Sequence, residues 1–151
     1  MSGAGPTSFV GRPLRRRDGE GKVRGRAGFP LDRAGPDGCL VARTVRLPVA
    51  SARIDGIDST AALALPGVVR VVTARDVRGT NRFGLIEPDQ PVLAEDRVRG
   101  ASDVVALVLA TDDAAAETGA GAVRVRYTPH TPLVDAEAAL LPTAPLVQAG
   151  R

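Results

Sequence analysis

Residues 103–110, DVVALVLA, constrain the fold more than any other stretch of this sequence. The run is continuously apolar, too short and too β-branched to make a good helix, and it reads as a strand buried on both faces at the centre of a core. A chain of 151 residues with 44% hydrophobic content can bury one such core but is too short for a large multidomain enzyme. The apolar residues are overwhelmingly Val, Ala and Leu, with three Phe, one Tyr and no Trp. The core must therefore pack from small aliphatic pieces, and little aromatic surface is left for stacking on bases. With 12 Pro and 17 Gly breaking the chain at short intervals, short strands joined by turns are favoured over long helices. An α+β or mostly β single domain follows.

The elements can be read in order around that strand. Residues 1–8 are small, polar and turn-prone, and are expected to form a loose N-terminal tail. KVRGRA at 22–27 has the period-two look of a short edge strand. After the Pro/Gly/Asp-rich connection at 30–38, CLVARTVRL at 39–47 predicts a strand with Leu40, Ala42, Thr44 and Arg46 on one face and Cys39, Val41, Arg43, Val45 and Leu47 on the other. ARIDGI at 52–57 predicts a second extended stretch. Asp58 or Ser59 can cap a short helix in STAALAL, which Pro66 and Gly67 stop. VVRVVTA at 68–74 is β-branched enough for another strand, and a turn-like RDVRGTNRFG follows. Thr111, Asp112 and Asp113 cap an alanine-rich helix at 113–122, in which Gly119 and Gly121 each cost roughly 1 kcal/mol relative to Ala, so that helix must lean on tertiary packing. VRVRY at 123–127 alternates as a strand, VDAEAALL gives a last helical turn before Pro142, and residues 142–151 hold no further element.

Chemistry-bearing residues are sparse. The one histidine, His130, lies in the loop YTPHTPL with no carboxylate or nucleophile paired to it by a local motif. The one cysteine, Cys39, cannot form an internal disulfide, has no partner at metal-ligand spacing, and begins a strand, where a small structural hydrophobe is expected. Asp112–Asp113 and Glu95–Asp96 are adjacent carboxylates, which on a cap or turn point apart into water rather than forming an acid–base dyad. GEGKVRG and GAGA lack the strand-to-helix setting of a phosphate-binding loop. Lys22, the only lysine, opens a charged segment and not a carrier hairpin. The residues thus predict no catalytic, cofactor-binding or metal site.

Charge and targeting point the same way. The net charge of +3 comes from 20 basic against 17 acidic residues interleaved along the chain, which disfavours a nucleic-acid footprint. Arg15, Arg16 and Arg17 are adjacent but stand beside Asp18 and Glu20, as a solvated segment does. No apolar run reaches the roughly 18 residues that span a membrane, and DGEGKVRGR occupies the place where an export segment would begin. A cytoplasmic protein with no membrane association is expected.

Four blocks carry a family signature: VGRPLRRRDGEGKVRGRAGF at 10–29, LVARTVRLPVASARIDGIDSTAALALPGVVRVVTARDV at 40–77, NRFGLIEPDQPVLAEDRVR at 81–99, and ALVLATDDAAAETGAGAVRVRYTPHTPLVDAEAAL at 106–140. Together they resemble the N-terminal α/β hammerhead domain of the xanthine dehydrogenase and aldehyde oxidase family, the molybdopterin-binding large subunits of molybdenum hydroxylases. The resemblance implies an α/β hammerhead of short mixed strands and two main short helices over residues 9–141, between tails at 1–8 and 142–151. It implies a structural part, as split subunit or fragment, in a molybdenum-dependent hydroxylase that oxidises aldehydes or N-heterocycles. Molybdopterin with its molybdenum would be held by partner domains, with iron–sulfur centres and FAD in the wider complex. The family's cofactor loops and catalytic glutamate have no counterpart in these blocks, so no catalytic or cofactor residue is carried over to this chain. A stand-alone binding module that kept the fold and lost the enzyme, using its arginines for an acidic ligand or nucleic acid, is the alternative, and steep salt dependence of binding would mark it.

Two departures from the family pattern stand out. Leu47-Pro48-Val49-Ala50 replaces a Ser-Pro-His-Ala turn, making a polar surface turn apolar. At Gly100-Ala101-Ser102-Asp103-Val104 a family glycine is lost, and Ser102 is expected to resist the backbone angle that glycine permits.

Overall fold

The computed structural model describes residues 10–32 and 35–146, in two compact units, Met1–Asp37 and Gly38–Arg151. The tail expected at 1–8 lies outside the described residues.

In the first unit the expected edge strand at 22–27 does not form: Lys22 and Val23 end a helix, and Arg24 and Gly25 make a turn. Helix α1 spans Gly19–Val23, and a 3-10 turn follows at Pro30–Asp32. Charges spaced four apart favour the turn: Lys22 pairs with Asp18 at 2.6 Å and Arg24 with Glu20 at 3.0 Å. Past Gly25, at φ +66°, the amides of Arg26 and Ala27 donate back to the Gly21 carbonyl at 2.8 and 3.1 Å. These local bonds use the groups a strand would have offered to a neighbour.

The second unit runs β1 (Val41–Val45), β2 (Ala52–Asp58), α2 (Thr60–Leu63), β3 (Val68–Thr73), β4 (Arg97–Val98), β5 (Ala106–Ala110), α3 (Asp113–Ala122), β6 (Arg124–Pro129) and α4 (Ala136–Ala139). Its strands form two three-stranded sheets, in the orders β1-β5-β3 and β4-β2-β6, with every pairing antiparallel. The strand expected at the centre of the core is the middle of the first sheet: Ala106, Val108 and Ala110 are fully buried. Its other face is only partly covered, since Leu107 and Leu109 are half-buried.

Helix α3 packs on all three strands of that sheet. The Asp112 carboxylate caps it by accepting from the Ala115 amide at 2.9 Å, which satisfies one of the donors a helix start leaves open. Gly119, a cost to helicity on its own, is what lets the helix come close: a Cβ there would stand 2.8 Å from Val68 Cγ2 and 2.9 Å from Val108 Cγ1. At α2 the capping bond comes from Asp58, which accepts from the Thr60 amide at 2.9 Å, and not from Ser59. Gly67 then turns the chain at φ +81°, a left-handed angle that favours glycine. Asp135 caps α4 through the Ala138 amide at 2.7 Å.

Two clusters make the core. Val45, Ala106 and Val108 form one, with Val68, Val71, Ala120 and Val123 against it. Leu47, Ala52, Ala94, Val98 and Val105 form the other, with Val49, Ile54, Ile57 and Tyr127 against it. Val125 packs against both. The apolar turn at residues 47–50 is thus explained: Leu47 is buried and Val49 packs inward on the second cluster. The strain expected at Ser102 is absent, because no non-glycine residue among those described has a positive φ. Residues 142–146 hold no helix or strand, and the rest of the expected C-terminal tail lies outside the described residues.

Candidate functional site

The residues that the sequence singled out are held apart by the fold. Cys39 is exposed. Asp112 is the cap of α3, while its neighbour Asp113 lies 3.8 Å from Arg43, whose Nε also reaches Glu117 at 2.8 Å. Glu95 and Asp96 line two different clefts. Lys22 is tied to Asp18, and Arg16 donates to the same carboxylate at 2.9 Å. Among the described residues no group of three or more His, Cys, Asp or Glu is placed to hold a metal ion.

One cleft, of about 460 Å³, lies along β2 and the turn after β3, with Asp55, Asp58 and Glu95 facing Arg75 and Arg126. Its carboxylates are committed to their neighbours. The Thr128 hydroxyl donates to Asp55 Oδ2 at 2.7 Å and Arg53 Nε to Oδ1 at 2.8 Å, and together they hold the Asp55 carboxyl below its ordinary pKa. The Thr60 amide, with its hydroxyl, does the same for Asp58. Both groups are pushed towards permanent ionisation and away from the range in which a carboxyl could shuttle a proton near neutrality. Three carboxylates and two guanidinium groups line this cleft together.

A second cleft lies at the end of the β4-β2-β6 sheet, and its composition differs. It has an inner part of about 150 Å³ lined by Arg97, Arg99, Ser51 and Thr131, and a more open part of about 550 Å³ that adds Arg53, Asp96 and His130. Strand alternation builds it: Val98 is fully buried in the core, so Arg97 and Arg99 on either side of it project to the opposite face. Ser51 precedes β2 and Thr131 follows β6, and the His130 amide donates to the Ser51 carbonyl at 2.9 Å, bringing the two loops together. His130 therefore anchors this cleft through its backbone. Arg97 and Arg99 were not singled out from the sequence; the only signal was the polar–apolar–polar triplet Arg97-Val98-Arg99, two residues of which form the short edge strand β4.

Apolar side chains also stand on the surface. Phe83 and Gln90 exchange backbone hydrogen bonds of 2.8 and 3.1 Å, and between them Leu85 and Ile86 are exposed almost completely. Val134 and Leu140 are similarly bare. Such a surface is unusual on a chain that works alone and suits one that packs against more protein.

Comparison with known proteins places these features in one family. Residues 24–131 match the model of the aldehyde oxidase and xanthine dehydrogenase a/b hammerhead domain. The chain is 39% identical to a probable xanthine dehydrogenase subunit of Bacillus subtilis over 90% of its own length and 18% of the relative's. To the nicotinate dehydrogenase large molybdopterin subunit of Eubacterium barkeri it is 34% identical, over 83% of its length and 29% of the relative's. Among solved structures, the aldehyde oxidoreductase of Desulfovibrio gigas superposes with a TM-score of 0.80 at 31% identity, covering 89% of this chain and 16% of that one. The chain thus spans less than a third of each of these proteins.

Proposed function

From a chain that belongs to the aldehyde oxidase and xanthine dehydrogenase family, as its α/β hammerhead domain, we propose a structural component of a molybdenum-dependent oxidoreductase that acts on aldehydes or N-heterocycles. The observation that carries this reading is the match over residues 24–131 together with the TM-score of 0.80 against an aldehyde oxidoreductase. The hammerhead proper is proposed to span residues 9–141, in a cytoplasmic assembly. No helix among the described residues is long and apolar enough to cross a membrane.

In this reading the described residues do not hold the molybdenum centre. They bring no cluster of ionisable ligands together, and the carboxylates of the β2 cleft are tied to neighbouring hydroxyl, amide and guanidinium groups. No step of the oxidation is therefore assigned to them. Molybdopterin is placed in partner domains, with iron–sulfur and flavin centres elsewhere in the complex. The part played by this chain is to present a rigid two-sheet body whose bare aliphatic side chains, Leu85 and Ile86 foremost, are covered by the cofactor-binding domains.

The test is recovery of the tagged chain from its own cells, with metal analysis and mass spectrometry of what accompanies it. Molybdenum and a molybdopterin-binding polypeptide are expected together. A metal-free monomer from cells that make active molybdenum hydroxylases would overturn the proposal.

A further inference from the structure

Among the described arginines of the second unit, Arg97 and Arg99 stand apart by a covered donor that finds no acceptor. Arg43, Arg53 and Arg70 each reach a carboxylate, on Glu117, Asp55 and Asp76, at 2.7–2.8 Å. Arg97 and Arg99 are both half-buried. The Nε of each is closed off from solvent and finds no acceptor in the protein. The nearest relief is a 3.3 Å bond from Arg99 Nη1 to the Asp89 carbonyl. Asp103, which could have neutralised Arg99, instead accepts from its main-chain amide at 2.7 Å. Covering a guanidinium N–H without giving it an acceptor is unfavourable, and this occurs twice, at Arg97 on β4 and at Arg99 just after it.

We propose that the inner cleft at the β4 edge is an oxyanion-binding site that takes a phosphate group, between the guanidinium groups of Arg97 and Arg99 and the hydroxyls of Ser51 and Thr131. All four residues line the same space of about 150 Å³, whose remaining wall is apolar and includes Leu133 and Val134, and that volume suits a tetrahedral oxyanion with a few waters. Neither hydroxyl is engaged in a hydrogen bond among the described residues, so both are available as donors. These groups come from β4 and the residue after it, from the loop before β2 and from the loop after β6, and those strands are neighbours in the order of the sheet. A tetrahedral group can accept from all three directions, whereas a planar carboxylate offers acceptors in one plane. The outer cleft adds Arg53, already paired with Asp55, and His130; its one further acid, Asp96, stands outside the inner part. The other cleft is lined by three carboxylates beside its two guanidinium groups, so an anion there would meet like charge.

The site stands on these residues and does not rest on the oxidoreductase reading. It is tested on the 151-residue chain by calorimetric titration with inorganic phosphate and, separately, with AMP, against sodium acetate at matched ionic strength. Saturable phosphate binding is expected, weakened about tenfold or more in Arg97→Met and unchanged in Arg75→Met, which alters the other cleft. The double variant Ser51→Ala with Thr131→Val is expected to weaken binding by a smaller factor while leaving both guanidiniums in place, and it serves if Arg97→Met does not fold. Equal binding of phosphate and AMP would identify the group as one that can be carried on an ester; binding of phosphate alone would identify the free anion. Displacement of phosphate by acetate at equal ionic strength, or an equal loss in Arg75→Met, would overturn the assignment, as would no binding at millimolar phosphate.

Discussion

The two sheets of the larger unit are built to similar size from similar residues, yet they treat their faces differently. The β1-β5-β3 sheet is closed by α3, drawn in by Gly119 until Val68 and Val108 touch it. The β4-β2-β6 sheet has a core of equal quality on one side, with Val98 and Ala52 fully buried. On its other side it keeps a charged surface in which Arg53, Asp55 and Thr128 are linked across strands and the Nε groups of Arg97 and Arg99 find no acceptor. The face under the helix is complete within its own chain, while Leu107 and Leu109 on the opposite face stay half-buried. A sheet that keeps cations and a cleft at its open end has binding capacity to spare, and in this molecule the two roles are separated between halves.

The sharpest test of that contrast is Gly119→Val. A side chain forced into Val68 and Val108 should lower stability by about 3 kcal/mol through overpacking, seen as a fall in the urea midpoint at constant slope. A loss under a third of that would mean that α3 can slide and the sheet is less closed than its packing indicates. Next come Val108→Ala and Val98→Ala, one in each core. Each should cost about 2 kcal/mol, and a much smaller loss at Val98 would show that the open half is also the loosely packed half. Gly121 has nothing within 4 Å of where a Cβ would stand, so Gly121→Ala should stabilise by about 0.8 kcal/mol; a destabilisation would reveal a neighbour that this geometry does not contain.

The smallest effects are expected from pH. Asp112 is held below its ordinary pKa by the Ala115 amide, and Asp55 by the Thr128 hydroxyl and Arg53. A folded-state pKa below the unfolded value, about 3.9, gives stability that is fully present above that value and is lost as pH falls through the folded one. Urea midpoints should therefore stay level from pH 7 to about 5 and drop below about 4. Asp112→Asn should flatten that drop through the helix-covered half, and Asp55→Asn through the open one. A drop unchanged in both variants would mean that neither carboxylate is tied in solution as it is in the structure.

Much of this architecture was legible because local signals agreed with tertiary demands. DVVALVLA is apolar without helical character, and it became the central strand; Asp112 stood ahead of an alanine run, and it became a cap. The misread element, α1, shows the limit of alternation as a signal: KVRGRA alternates in two ways, and i,i+4 ion pairs reach within the chain while a strand needs a neighbour that the sequence does not announce. Strand β4 was missed because two residues are too few to show a period. The cleft beside it was not legible either, since it needs Ser51, Arg97 and Thr131 brought together by sheet order, and no spacing along the chain encodes that. The apolar turn at 47–50, by contrast, was visible as a departure, and only packing showed that Leu47 and Val49 turn inward.

Val125 belongs to both core clusters, and this one shared side chain has a kinetic consequence. Its strand follows α3 directly and pairs with β2 in the opposite sheet, so opening either half exposes the same valine and loosens the other. Slow amide exchange should thus report a single subglobal event in which protons on β5 and β2 are released together, so that the closed half guards the shape of the half that keeps its surface open.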